Sequence, residues 1–327
     1  MNKLTKIGVS ALCGSLASVA AANAGSMDVT GGASATYSTL SDTVTGNPLG
    51  MTTALTFTGN GELDNGSTFK VTIAHTNKSA YSASAIALTT PSLGTFTYDE
   101  GGGTGIDRID DMMPTAWEET DGTGLTTGAR TVNGAGNATD IEWSVGMGLP
   151  DGMNVYASFA PRPDGSKNTN KGVGGASGIE GNGWDIVLTH SGLLDGLNVF
   201  GGLSSVEQNA TLGDLDSEVY GATYAIGGAT VGYQHSKEDN VVAAGKYYEN
   251  DAYAISYSVN DDLAISYGVH ESKSNSGSTG NIEAESIQVS YSVGGASIKF
   301  AENKVDNQNY VSGTSRDGRT VALTLAF

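Results

Sequence analysis

The densest chemistry in this chain lies in one segment, GGGTGIDRIDDMMPTAWEETDGTG, which runs from Gly101 to Gly124. It sets Asp107, Asp110, Asp111, Glu118, Glu119 and Asp121 against Arg108, with Arg130 further on. Carboxylates crowded in this way suit one of two tasks. They hold a hard divalent cation together with backbone oxygens, or they concentrate cations and repel anions along an aqueous path. Asp107, Asp110 and Asp111 are the candidate Ca²⁺ ligands, and the DLDSE stretch from Asp214 to Glu218 is a second candidate. Neither has the spacing of an EF-hand loop. Catalysis finds no comparable group. Gly101–Gly105 has no following Lys-Ser/Thr and no helix signal, so it is not a phosphate cradle. His75, His190, His235 and His270 are scattered, with no two at metal-ligand spacing. No serine occupies a G-x-S-x-G turn. The expectation is a protein that is not an enzyme, with no cofactor other than the Ca²⁺ option.

The whole chain shares this acidity. It has 35 Asp and Glu against 16 Lys and Arg, a formal net charge of −19. Nucleic acid is therefore not an expected partner, because phosphates are neutralised by Lys and Arg. Apolar residues make up 38%, below the roughly 45–50% of a globular domain. Glycine is abundant at 47 residues, while proline numbers only 6. At the start, Lys3 and Lys6 precede an apolar stretch from Ile7 to Ala22, and Ala22-Asn23-Ala24 is an A-x-A cleavage pattern. Residues 1–24 read as a secretory signal peptide, with residues 25–327 as the mature domain. The apolar stretch falls short of the ~20 residues a spanning helix needs. Cys13 is the one cysteine and lies inside it, so no disulfide is expected in the mature chain. Without Lys3 and Lys6, 14 basic residues face 35 acidic ones, a charge of −21.

What must position the acidic segment is a set of strands. Period-two alternation recurs along the chain, as in Ile265, Tyr267 and Val269 against Ser266 and Gly268, or Val321, Leu323 and Leu325 against Ala322 and Thr324. One parity is apolar and the other is small and polar. The spacing predicts sixteen strands near 27–39, 50–60, 66–77, 82–89, 94–100, 138–149, 153–160, 183–191, 196–206, 216–226, 229–237, 249–259, 262–271, 284–293, 296–303 and 318–327. Short turns such as Asn65-Gly66, Asp151-Gly152, Gly227-Gly228 and Gly294-Gly295 alternate with longer polar connectors. The longest connector is 101–137. An even number of strands of ~10 residues, with short turns on one rim and long loops on the other, is the pattern of a transmembrane β-barrel. The fold class is thus all-β, a 16-stranded antiparallel barrel with its apolar parity outward. At sixteen strands the interior is too wide for side chains to fill. Tyr37, Tyr220, Tyr257, Tyr291 and Phe327 suit interfacial aromatic girdles.

With its signal peptide, strand count, loop rhythm and terminal LTLAF, the chain resembles the general diffusion porins of Gram-negative bacteria, particularly the alphaproteobacterial, Rhodobacter-like type. The resemblance implies an outer-membrane homotrimer surrounded by lipid and lipopolysaccharide, with long extracellular loops and small hydrophilic solutes diffusing through. It implies that the third long loop, 101–137, folds inward and narrows the pore. Asp107, Arg108, Asp110, Asp111, Glu118, Glu119 and Asp121 would then line the constriction. It also implies that Phe327 is read by the barrel assembly machinery. Met112, Met113, Pro114 and Trp117 are expected to pin the loop to the wall. The family usually sets a basic arc across from the acidic loop, and this chain departs from that. Its clearest inward basic residues are Lys70 and Lys299, while Glu142 and Asp185 are inward and acidic. A cation-preferring pore without a strong transverse field follows. The alternatives are a substrate-specific porin and a Gly/Asp-rich surface adhesin without a pore.

Overall fold

The computed structural model describes residues 26–41, 47–77, 83–100, 102–120, 125–161, 163 and 179–327. The expected signal peptide and Asp121 lie outside these residues. All sixteen expected strands form: β1 (Met27–Leu40), β2 (Leu49–Glu62), β3 (Thr68–Thr76), β4 (Ala83–Thr90), β5 (Gly94–Glu100), β6 (Thr139–Val145), β7 (Met153–Ala160) and β8 (Ile179–His190), then β9 (Leu197–Gln208), β10 (Leu215–Ile226), β11 (Ala229–Asp239), β12 (Tyr247–Ser258), β13 (Leu263–Ser274), β14 (Ile282–Val293), β15 (Ala296–Asp306) and β16 (Ser315–Ala326). Each pairs antiparallel with its neighbours, and β16 closes on β1 from Gly32↔Ala326 to Leu40↔Gly318. Beyond the last strand, Phe327 N–H donates to Gly31 O at 2.9 Å and Gly31 N–H donates to Phe327 O at 3.1 Å. Every strand therefore has a partner on both sides. That is the condition hydrocarbon imposes on a spanning sheet, because lipid supplies no hydrogen bonds.

The register confirms the two-sided reading. On the outside lie Ile265, Tyr267, Ile287, Val289, Phe300 and Ile298, directly opposed across β13, β14 and β15. Ile265, Tyr267, Ile287 and Ile298 are open to the surroundings, with Val289 and Phe300 half-buried between them, as an outer skin must be where lipid replaces a protein core. The inward parity carries Ser266, Gln288, Ser290 and Lys299 in the same ladders.

Strand ends depart from the sequence expectation at the long-loop rim. β11 runs to Asp239, β13 to Ser274 and β15 to Asp306, and β16 begins at Ser315. In each case the outward apolar parity gives way to charge while the backbone ladder continues. Lys237 Nζ lies 2.7 Å from Asp239, Lys304 Nζ lies 2.5 Å from Asp306, and Arg319 lies 2.7 Å from Glu302. Hydrogen bonding along the backbone does not depend on side-chain polarity, so alternation of apolar residues stops short of the true strand end. At the other rim β6 ends at Val145, because Gly146–Gly152 forms a broad turn in which Gly148 has φ +80°.

The circumference is uneven. Among the described residues, the outward positions of β1 to β7 include one charged side chain, Glu100. From β10 to β16 the apolar band is topped by a belt that includes Glu218, Lys237, Glu249, Asp251, Glu271, Lys273, Glu283, Glu285, Lys304 and Arg319.

Sidedness can be checked on one strand. In intact membranes, Ser297→Cys should react with an impermeant aqueous maleimide, while Ile298→Cys, 58% exposed on the outer face, should be shielded by lipid.

Candidate pore constriction

The connector between β5 and β6 does not extend away from the barrel. It turns inside, and its course is set by polar side chains on the inward parity of the wall. A short 3-10 turn, Gly105–Ile109, begins it. Asp185 on β8 receives three loop amides: Ile106 N–H at 3.0 Å, Ala135 N–H at 2.9 Å and Gly136 N–H at 2.9 Å. One carboxylate thus ties the outgoing leg to the returning leg. Glu142 on β6 accepts Gly105 N–H at 2.8 Å and pairs with the Arg108 guanidinium at 2.5 Å. Asp140 accepts the Thr104 hydroxyl at 2.9 Å. Gly105, at φ +53°, packs so closely on Asp185 that an added Cβ would collide with its carboxylate.

Further along, amide side chains take over. Gln234 on β11 accepts Met112 N–H at 3.0 Å and donates to the Asp110 carbonyl. Ser266 on β13 accepts Ala116 N–H at 2.9 Å. Gln288 on β14 accepts Glu118 N–H at 2.9 Å and donates to Glu118 O at 2.7 Å, so its amide mimics a strand partner. The returning leg is held by Arg130, whose Nε donates to Glu238 at 2.5 Å and whose carbonyl accepts Asn250 Nδ2 at 2.9 Å. Apolar packing supports the polar clamps: Ile106, Ile109 and Val132 of the loop bury against Val187, Phe200 and Val219 of the wall, with Met112 and Met113 alongside. The loop therefore runs from β6 to β14 across the inner face.

This geometry relocates several expected site residues. Glu142 and Asp185 face inward, but they are 2% and 1% exposed. The loop covers both, so they are anchors rather than open wall charges. Arg108 is drawn to the wall, where its guanidinium also stacks 4.2 Å over the Tyr156 ring. Asp107 Oδ2 accepts Gly103 N–H at 2.6 Å. Asp111 and Glu119 are exposed. Asp111, Glu118 and Glu119 share an open cavity with Met113, Thr115 and Trp117. Lys299 sits 5.9 Å from the Trp117 ring, at the far end of the loop. Lys70 is exposed on the inward parity, between Asn60 and Ala87. Among the described residues, neither the carboxylates of Asp107, Asp110 and Asp111 nor those of Asp214, Asp216 and Glu218 come together as a group of three within 4.8 Å.

A model of the Gram-negative porin family matches residues 8–326. The chain belongs to the Gram-negative porin family. Its fold is similar to that of Salmonella typhi OmpF in complex with daunomycin, at 14% identity, TM-score 0.71, and coverage of 93% of this chain and 98% of that one. It is also similar to OmpT of Vibrio cholerae in its trimer form, at 13% identity, TM-score 0.64, and coverage of 93% and 99%. A Rh. blastica porin variant aligns at 14% identity, TM-score 0.61, and coverage of 92% and 100%. No curated protein sequence matches. Family and barrel together place this porin in the outer membrane, among channels rather than enzymes.

The inside of this porin is electrostatically lopsided. The sector the loop does not clamp presents Thr30, Ser34, Thr36 and Ser38 on β1, Thr52, Thr56 and Thr58 on β2, and Thr320 and Thr324 on β16, with Asp28, Glu62, Lys70 and Arg316 on the same inward parity. Some of these hydroxyls pair across strands, as Ser38 with Thr320 at 3.0 Å. Most of the inward carboxylates lie on the loop side, among them Asp140, Glu142, Asp185 and Glu238 on the wall and Asp111, Glu118 and Glu119 on the loop. Burial, reinforced by Asp107, Asp111 and Glu119, pushes the Asp110 carboxyl up to about 8. Burial also raises Glu118, against the opposing pull of Lys299. Asp110 is therefore protonated at neutral pH and gains its charge as the pH rises through about 8.

Two outcomes follow. Asp185→Ala leaves three loop amides without their acceptor, at about 1–3 kcal/mol each where they stay buried; single-channel recordings should show a larger and noisier conductance. The cation-to-anion permeability ratio should climb between pH 7 and pH 9, and Asp110→Asn should flatten that climb.

Proposed function

We propose that this porin passes small hydrophilic solutes and ions by passive diffusion, with a preference for cations, and that loop 101–137 sets the narrowest point. The observation that carries the reading is the unequal lining: Asp111, Glu118 and Glu119 line an open cavity on the loop, while the sector the loop does not clamp is mainly serine and threonine hydroxyls with few charges of either sign. Carboxylates beside a narrow aqueous path raise the local cation concentration and repel anions. Lys70 and Lys299 are too few to build an opposing basic arc. A strong transverse field is absent from this reading, and Asp107 adds to the acidic side, joined by Asp110 once the pH passes about 8.

The wider setting belongs to the same proposal. The porin works as a homotrimer, as the similar Vibrio cholerae OmpT does in its trimer form. The nearly uncharged outer face of β1 to β7 is consistent with subunits packing there. Signal-peptide cleavage after Ala24, recognition of Phe327 by the assembly machinery, contact with lipopolysaccharide and an alphaproteobacterial subtype complete it. The substrate-specific alternative would place a row of aromatic or arginine side chains along the inner wall. The adhesin alternative has no use for a closed ring with an apolar exterior.

Planar-bilayer recordings test the proposal. Stepwise conductance with a cation-favouring reversal potential is expected. Neutralising Asp107, Asp110, Asp111, Glu118 and Glu119 together to Asn or Gln should bring the permeability ratio close to that of free diffusion. An unchanged ratio would remove the loop from the selective point, and saturable block by one solute would favour a specific channel.

A further inference from the structure

A second cluster lies on the opposite side of the wall, outside the barrel and near the long-loop rim. His235 on β11 is opposite Asp251 on β12, and Glu249 is two residues before Asp251 on the same outward parity. One donor atom from each lies within 4.8 Å of the others; among the described residues no other three metal-ligating side chains converge this closely. His235 Nδ1 stands 3.0 Å from Asp251 Oδ1. The side chains are partly sheltered, at 12% exposure for His235 and 16% for Asp251.

We propose that His235, Glu249 and Asp251 form a binding site for a borderline divalent transition ion such as Zn²⁺. The donor set is one imidazole and two carboxylates, which suits zinc and its neighbours better than a hard ion such as Ca²⁺. Three protein ligands leave a further position for water or for a phosphate oxygen of a neighbouring lipid. Surrounding groups restrain the ligands before any ion arrives. The His235 ring stacks on Tyr220 with centroids 4.9 Å apart, and the Tyr233 hydroxyl donates to Asp251 Oδ1 at 2.9 Å. Such outer contacts orient metal ligands and sharpen affinity. One group opposes the ion: Lys273 Nζ lies 3.6 Å from Asp251 Oδ2. Lys273 is also opposite Glu249 on β13, and Lys237 is opposite Glu249 on β11. The ion displaces the ammonium of Lys273 from Asp251 and replaces the His235–Asp251 hydrogen bond with two bonds to metal. It would join β11 to β12 on the face turned away from the channel, so it is independent of permeation.

The test is Zn²⁺ titration by calorimetry of the full-length porin in detergent, with Co²⁺ absorbance as a second readout. One site per chain is expected. His235→Ala should weaken it at least ~10-fold, equivalent to about 1.4 kcal/mol, and abolish the visible Co²⁺ bands of a tetrahedral site. Lys273→Ala should tighten it by removing the competing charge. Equal Zn²⁺ binding by wild type and His235→Ala, or no binding by either, overturns the proposal. Because the site is outside the barrel, His235→Ala should leave conductance unchanged, which separates its failure from failure of the channel reading.

Discussion

Hydrocarbon has nothing to offer a peptide group. Any backbone N–H or C=O left open in the bilayer core costs several kcal/mol, so a spanning sheet must close. Everything else in this protein descends from that closure. β16 must meet β1, which places the end of the chain in the ladder, with Phe327 bonded to Gly31 in both directions. A closed sheet has only an outside and an inside, so a period of two along the sequence becomes a division between lipid and water. The low apolar content is then sufficient, because one residue in two needs to be greasy and no core needs filling.

The same demand reappears inside, at the loop. A segment folded into the lumen carries amide groups into places where water is excluded, and the wall must satisfy them. It does so with carboxylates where the loop is deepest and with glutamines where it crosses to the far side. Asp185, Glu142, Gln234 and Gln288 lie on four different strands, so the loop's position is distributed over much of the circumference. Acidic residues in this protein therefore have two roles. Those buried behind the loop accept its N–H groups, and those on its open side are, in the proposed function, the ones that set the field felt by passing ions. The two sets are chemically alike and differ only in which side of the loop covers them.

Around the outside, charge is partitioned too. β1 to β7 are smooth and nearly uncharged, whereas β10 to β16 rise into a charged belt above the apolar band. Pairs such as Lys304 with Asp306 continue the strands past the last apolar residue. Charged groups tolerate such a position only where polar headgroups or water meet the wall. The His235–Glu249–Asp251 cluster belongs to this belt, and its ligands converge because adjacent strands place distant residues side by side.

Much of this was legible in the sequence alone. Sixteen alternating segments and the turn pairs between them determined the strand order and the sidedness, because side-chain period and turn chemistry are local properties; that the longest connector, 101–137, folds inward was implied by the resemblance to general diffusion porins. Strand ends at the long-loop rim were less legible, since Lys237–Asp239 and Lys304–Asp306 extend a ladder that apolar alternation does not reveal. What only the tertiary structure decided was which polar residues meet. Nothing near Asp185 in the chain marks it as the acceptor for Ile106 and Gly136, although Gln234 and Gln288 are long uncharged amides among inward neighbours that include many serines and threonines. Likewise His235 and Asp251 are 16 residues apart and show no ligand spacing. Contacts between strands depend on register across the barrel, and register is a property of the closed sheet rather than of any one segment.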